Sequence, residues 1–136
     1  MEGVVEPAEG AWTDFMRKIP GRAKAELVAS DHPEAREARL QYRSLGETEF
    51  GSLLEITLET GRMHQIRLQT ASRGFPILGD TRYDAQHPFG KQHADVRLRS
   101  IALHGRVLSF QHPMTKDPVT VEAPLTEDWS ALKLPV

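Results

Sequence analysis

Arg62, His64, Gln65 and Arg67 fall within six residues of the stretch ETGRMHQIRLQTASRGFPILGD, residues 59–80. Met63 to Ser72 contains neither Pro nor Gly and is expected to run helically, with Gly74 as its left-handed stop. On such a helix Met63, Ile66 and Thr70 lie three or four apart and face the core, while Arg67, four residues after Met63, sits at the edge of that stripe. A lone charge at a core margin is expensive, so Arg67 calls for a carboxylate or phosphate partner. Spacing leaves two readings open: an internal salt bridge, or a partner that takes part in chemistry. His64 reads as a hydrogen-bonded helix residue.

Other groups are less pointed. His87 and His93 are six apart, with His104 and His112 downstream, a spacing that fits no common metal motif, so no metal site is expected. Arg97 and Arg99 fall on one face of an extended segment, where they would meet phosphate or form a solvated edge.

The elements that must hold these residues are mostly strands. Short strands are expected at Val4-Val5, at WTDFMRKI (12–19) before Pro20-Gly21, and at Lys24 to Val28. Two longer ones, EARLQYRSLG (37–46) and FGSLLEITLET (50–60), flank a turn around Gly46, and in the second Leu54, Ile56 and Leu58 share a face. After the helix come IALHGRVLSF (101–110) and DPVTVEAP (117–124), then a short closing helix from Thr126 to Leu134, which Thr126 would cap. Trp12 and Trp129 are expected in or beside the core. The pattern is an α+β domain, mainly antiparallel sheet with two short helices.

Length and composition set bounds on this picture. A chain of 136 residues, 39% hydrophobic, suits one domain with a modest core. Its longest apolar runs are only a few residues, so no membrane span is expected, and the acidic start MEGVVEPAEG has no signal-peptide pattern. The absence of cysteine excludes disulfides and thiolate metal sites, and a cytoplasmic location is expected. Charge is unevenly spread. Residues 1–61 carry 7 Lys/Arg against 12 Asp/Glu, residues 62–106 carry 8 against 3, and residues 107–136 carry 2 against 4. The basic block therefore contains the opening stretch, as a polyanion partner would require.

The stretch TGRMHQIRLQTASRGFPILGD resembles the Thr-Gly-Arg-x-His-Gln-Ile-Arg … Gly-x-Pro-Ile-x-Gly-Asp signature of RluA-type RNA pseudouridine synthases. The likeness continues through Tyr83, IALHGRVLSFQHP (101–113) and Ala123-Pro124-Leu125. It implies isomerisation of uridine in an rRNA or tRNA, without a cofactor, on a basic RNA-facing surface to which Arg73, Arg97 and Arg99 would contribute. By the same resemblance Arg67 pairs with the catalytic aspartate, Leu103 lines the uracil pocket, and Arg62, His64 and Gln65 shape the site or meet RNA.

One departure matters. The family's aspartate lies in an Arg-Leu-Asp-x-x-Thr-Ser-Gly surrounding, and its uracil-packing tyrosine in a Lys-x-Tyr-x-Ala pattern; neither occurs here. Asp14, Asp84, Asp95 and Asp117 lack those surroundings, and Asp80 belongs to the Gly-Asp that looks structural. Residues 1–136 are thus expected to form a single partial domain resembling the C-terminal part of a synthase catalytic domain, without turnover by itself. The alternative is a non-catalytic RNA-binding module that retains the fold remnant. A domain so divided is expected to self-associate through an exposed sheet edge.

Overall fold

In the computed structural model, which describes residues 1–135, the strand Arg36–Thr48 (β3) shows the clearest alternation. Ala38, Leu40 and Tyr42 are buried while Arg39, Gln41 and Arg43 face outward, as the two-residue period of a half-buried strand requires. Glu9–Lys18 (β1) turns Trp12 and Met16 to the same side, and Gly51–Leu58 (β4) adds Leu54 and Ile56. With the short Ala25–Leu27 (β2), these strands make one antiparallel sheet in the order β2-β1-β3-β4. Opposite charges pair across its outer face, as Arg43 does with Glu55 at 2.8 Å and Arg39 with Glu59 at 3.0 Å.

The one α-helix among the described residues, Gln65–Ala71 (α1), packs on the inner face. Its Leu68 joins Met16, Ala25, Ala38 and Tyr83 in one cluster, and Ile66 reaches a second built on Val5, Trp12, Leu40 and Tyr42. A third cluster, Ile77, Leu78, Phe89, Ala102 and Trp129, lies beneath the loops that follow the helix. Val107–Gln111 (β5) and Pro118–Glu122 (β6) form a separate antiparallel hairpin. No helix among the described residues is long and apolar enough to cross a membrane.

The structure corrects several expected boundaries. Val4-Val5 is not a strand: that segment holds by one bridge between Gly3 and Gly51 and by the Val5 N–H donating to Ser52 Oγ at 2.9 Å. The strand expected from Ile101 starts only at Val107, because the Ala102 N–H is taken by the Leu78 carbonyl at 2.9 Å and Ile101 packs against the third cluster. Arg97 and Arg99 do not share a strand; residues 96–98 form a 3-10 turn. The closing helix is likewise a 3-10 turn, Glu127–Ala131, and Thr126 occupies its cap position without a side-chain hydrogen bond. Met63, expected in the core, is 38% exposed.

Candidate active site

The helix begins two residues later than its sequence suggests, because the turn before it is fastened by a side chain. The Gln65 Oε1 accepts from the Arg62 N–H and the Thr60 hydroxyl, both at 2.9 Å, and its Nε2 donates to the Arg39 carbonyl at 3.1 Å. Gln65 is buried by these contacts and has no face left for a substrate. His64, between this turn and the helix, takes a left-handed conformation with φ 53°, unusual for a residue with a Cβ. Its imidazole lies against Tyr83, Nδ1 2.8 Å from the phenolic oxygen.

One helical turn on, Arg67 reaches inward. Its Nε and Nη2 donate to Asp80 Oδ2 and Oδ1 at 2.8 and 2.7 Å, a two-point pair with a carboxylate only 1% exposed. That contact holds the guanidinium charged, raising its pKa against the opposing effect of burial. The Arg67 Cζ also sits 5.0 Å from the centre of the Tyr83 ring, with Lys24 Nζ 5.3 Å from the same centre. Tyr83 ties these groups to the sheet, for its hydroxyl accepts the Ala25 N–H at 3.0 Å. The hydroxyl proton is then available to His64 Nδ1, a pairing that satisfies a neutral imidazole with its proton on Nε2. Desolvation, then the charges of Arg67 and Arg82, lower the His64 pKa from 6.5, which favours the same form.

Asp80 is placed by backbone geometry. Gly79 before it has φ +83°, and a Cβ there would lie 2.7 Å from the Ser100 carbonyl oxygen, so the close crossing of these two segments needs glycine. Asp80 then accepts the Tyr83 and Ala85 N–H groups on its carbonyl, which aims its side chain back at the helix.

Arg67 and Asp80 form part of the wall of a cavity of about 600 Å³ that Arg82, His87, Arg97 and Arg99 also line. A second cavity, about 570 Å³ between Val4–Ala8 and Ser44, Glu47 and Ser52, has two glutamates and no cation. Of the residues expected to bind substrate, RNA or the catalytic aspartate, only Arg67, Arg97 and Arg99 reach the basic cavity; His87 and Asp80, weighed as a metal ligand and as a structural residue, line it too. Arg62 donates to the Glu37 carbonyl on the outside of the turn. Leu103 is 39% exposed and does not line the cavity, where Ser100 and Ile101 do. Arg73 is spent on structure: it pairs with Asp14 at 2.7 Å and lies 4.7 Å over the Trp12 ring. Arg97 is neutralised by Asp95 two residues before it, also at 2.7 Å. Two residues the sequence reading passed over, Tyr83 as a support and Arg82 as a cavity cation, are central to the arrangement. Tyr83 follows the signature in the resemblance, but nothing in its spacing announces that its hydroxyl bridges β2 and His64.

The family model described as RNA pseudouridylate synthase matches residues 5–72, half of the chain. The chain belongs to the RNA pseudouridine synthase family. It is of the RluA type by its relatives as well as its signature. It is 42% identical over 81 residues to an uncharacterized RNA pseudouridine synthase, YlyB, of Bacillus subtilis, covering 60% of this chain and 24% of that one. It is 40% identical over 112 residues to ribosomal large subunit pseudouridine synthase D of Nitrosomonas europaea, covering 82% of this chain and 31% of that one. The chain thus spans about a quarter to a third of the length of these two curated relatives. The solved structure of human RNA pseudouridylate synthase domain containing 4 superposes with a TM-score of 0.66 at 22% identity, over 99% of this chain and 61% of that one, a shared fold. The antiparallel sheet with α1 on its face is therefore a pseudouridine synthase fold.

Proposed function

We propose that this chain carries the arginine side of a site that isomerises uridine to pseudouridine in RNA. The observation that supports it is Arg67, held in two-point contact with Asp80 at the wall of a basic cavity. Asp80 occupies Nε–H and one Nη2–H of the guanidinium, so three N–H groups remain, and Nη1 has no partner among the described residues. That free edge can hold a second carboxylate ionised and oriented. In this proposal the second carboxylate is the reacting aspartate, in surroundings that residues 1–136 do not contain.

The reaction conserves atoms. The bond from C1′ to N1 breaks, the uracil turns in the pocket, C5 bonds to C1′, and the C5 proton leaves to solvent while N1 gains one. His64 presents its Nε2–H as a neutral donor towards the nucleic acid. Arg62 meets RNA backbone outside the cavity, and Leu103 borders the uracil only when further protein closes that side. The substrate is an rRNA or tRNA uridine, and the protein acts in the cytoplasm.

Release of tritium from RNA containing 5-tritiated uridine tests the assignment, since C5 bonding expels that atom. The purified 136-residue chain is expected to release none. Mixed with a polypeptide carrying the Arg-Leu-Asp-x-x-Thr-Ser-Gly motif of a relative, it is expected to release tritium, and Arg67→Met to abolish the gain. Release by the chain alone would overturn the division of the site. Turnover by an Arg67→Met mixture would overturn the role of Arg67.

A further inference from the structure

Among the described residues seven arginines stand in ion pairs: Arg17, Arg39, Arg43, Arg67, Arg73, Arg97 and Arg106. Among the described residues no carboxylate pairs with Arg82 or Arg99, and both line the cavity that contains Arg67. They come from different segments, Arg82 from the 3-10 turn Thr81–Tyr83 and Arg99 from the loop after the turn Val96–Leu98.

Each is anchored without being neutralised. Arg82 Nη1 donates to the Ala23 carbonyl at 2.8 Å, and Arg99 Nε to the His93 carbonyl at 2.7 Å. A carbonyl fixes the direction of a guanidinium while leaving its full charge and four of its five N–H groups available. Solvated surface arginines are common. Two that are pinned by backbone, lack an acid partner and border one cavity are positioned for an anion. Only Asp80 among the cavity's residues bears a negative charge, and Arg67 already answers it.

The neighbouring side chains narrow the class of anion. Val96 and Leu98 are 66% and 63% exposed beside Arg99, and Val96 lines the cavity. Apolar side chains next to an unneutralised arginine suit a ligand with flat apolar surface as well as charge, as an unpaired nucleotide has. A simple phosphate ion would gain nothing from them.

We propose that Arg82 and Arg99 form a phosphate clamp on this cavity, gripping the phosphodiesters that flank the extruded nucleotide of an unpaired RNA strand, with Val96 and Leu98 against its bases. This assignment rests on the RNA reading above. It adds Arg82 to the RNA-contacting residues and leaves out Arg73 and Arg97, whose charges Asp14 and Asp95 answer.

The test is fluorescence anisotropy of a labelled twelve-nucleotide single-stranded RNA with one central uridine, titrated with the 136-residue chain across a range of salt. A single-strand contact contributes a slope of about 0.7 in log K against log salt, so losing one at 0.1 M costs about fivefold from counterion release alone. Arg82→Gln and Arg99→Gln are each expected to weaken binding by about fivefold, and the double variant by about 25-fold with a slope reduced by about 1.4. Arg82→Lys with Arg99→Lys should recover much of the slope. Arg43→Gln, which removes a cation on the outer face of the sheet, serves as the control and should change little. Uncharged methylphosphonate linkages on either side of the uridine should bring the wild type down to the double variant. RNA binding by the wild type that the double variant matches in affinity and slope would overturn the clamp and leave the RNA reading standing. No RNA binding by the wild type would overturn both.

Discussion

Replacing Asp80 by Asn tests whether the Arg67–Asp80 pair is what fixes the arginine. The two side chains are nearly isosteric, so the change removes charge and one of two acceptors without opening a cavity. What remains is an Asn amide facing a guanidinium, donor against donor, at a position 1% exposed. Removing one partner of a buried pair costs about 3–5 kcal/mol, because the other charge is left uncompensated. Arg67 is 19% exposed and can recover some solvation, so the lower end applies, about 3 kcal/mol. With a urea m-value of about 2 kcal/mol/M, the unfolding midpoint should fall by about 1.5 M. Trp12 and Trp129, both buried, provide fluorescence probes in different clusters.

Arg67→Met is the second edge of the cycle. It strands a carboxylate more deeply buried than the arginine and should cost at least as much. The double variant should then be less destabilised than the sum, by about 2–3 kcal/mol of coupling. A cost for Asp80→Asn under about 1 kcal/mol, with additive singles, would refute the reasoning. Arg67 would then be held by Tyr83 and solvent, and its orientation towards the cavity would owe nothing to Asp80.

Tyr83→Phe keeps the ring beneath Arg67 but strands the Ala25 N–H and His64 Nδ1, and should cost about 1–3 kcal/mol by urea denaturation; no change would show that the hydroxyl bridge is not made. Because the His64 pKa is lowered in the folded state, the unfolded chain binds the proton more readily, so stability is lost as pH falls through 6.5 and is flat above it. His64→Gln should remove that part of the acid slope, whereas an imidazole found by NMR to titrate at or above 6.5 would contradict the desolvated placement. Leu108 and Val121, paired across the hairpin and 63% and 52% exposed, make an apolar face on β5 and β6. The isolated chain should therefore associate with rising concentration, and Leu108→Lys with Val121→Thr should return it to a monomer in sedimentation velocity.

The legibility of this fold in its sequence tracks the range of the interaction that forms each part. β3 and β4 are legible because alternation decides them locally: expected over 37–46 and 50–60, they run 36–48 and 51–58. The helix is legible by its lack of breakers, yet not its first residue, since the left-handed His64 depends on Gln65 folding back on Arg62 and reaching Arg39. Ile101 and Ala102 look like strand residues in composition. They are claimed instead by Leu78 and the third cluster, a contact more than twenty residues away that no local period encodes. The site divides in the same way. Spacing calls for a carboxylate or phosphate partner for Arg67, but that Asp80 fills the role depends on the Gly79 crossing over Ser100.

In the proposed site one arginine serves two carboxylates. Had Arg67 been free in this chain, it would have cost too much to keep at the core margin until a second carboxylate arrived. Asp80 removes that cost through one edge of the guanidinium, from a side that the Gly79 turn keeps buried. Nη1 has no hydrogen-bond partner among the described residues, and Arg67 lines the cavity. The Tyr83 ring lies beneath Arg67, 5.0 Å from Cζ to the ring centre, and His64 and the Ala25 N–H in turn hold Tyr83. A charged group so oriented and stable, yet not saturated, is what the proposed pairing of Arg67 with a second carboxylate requires.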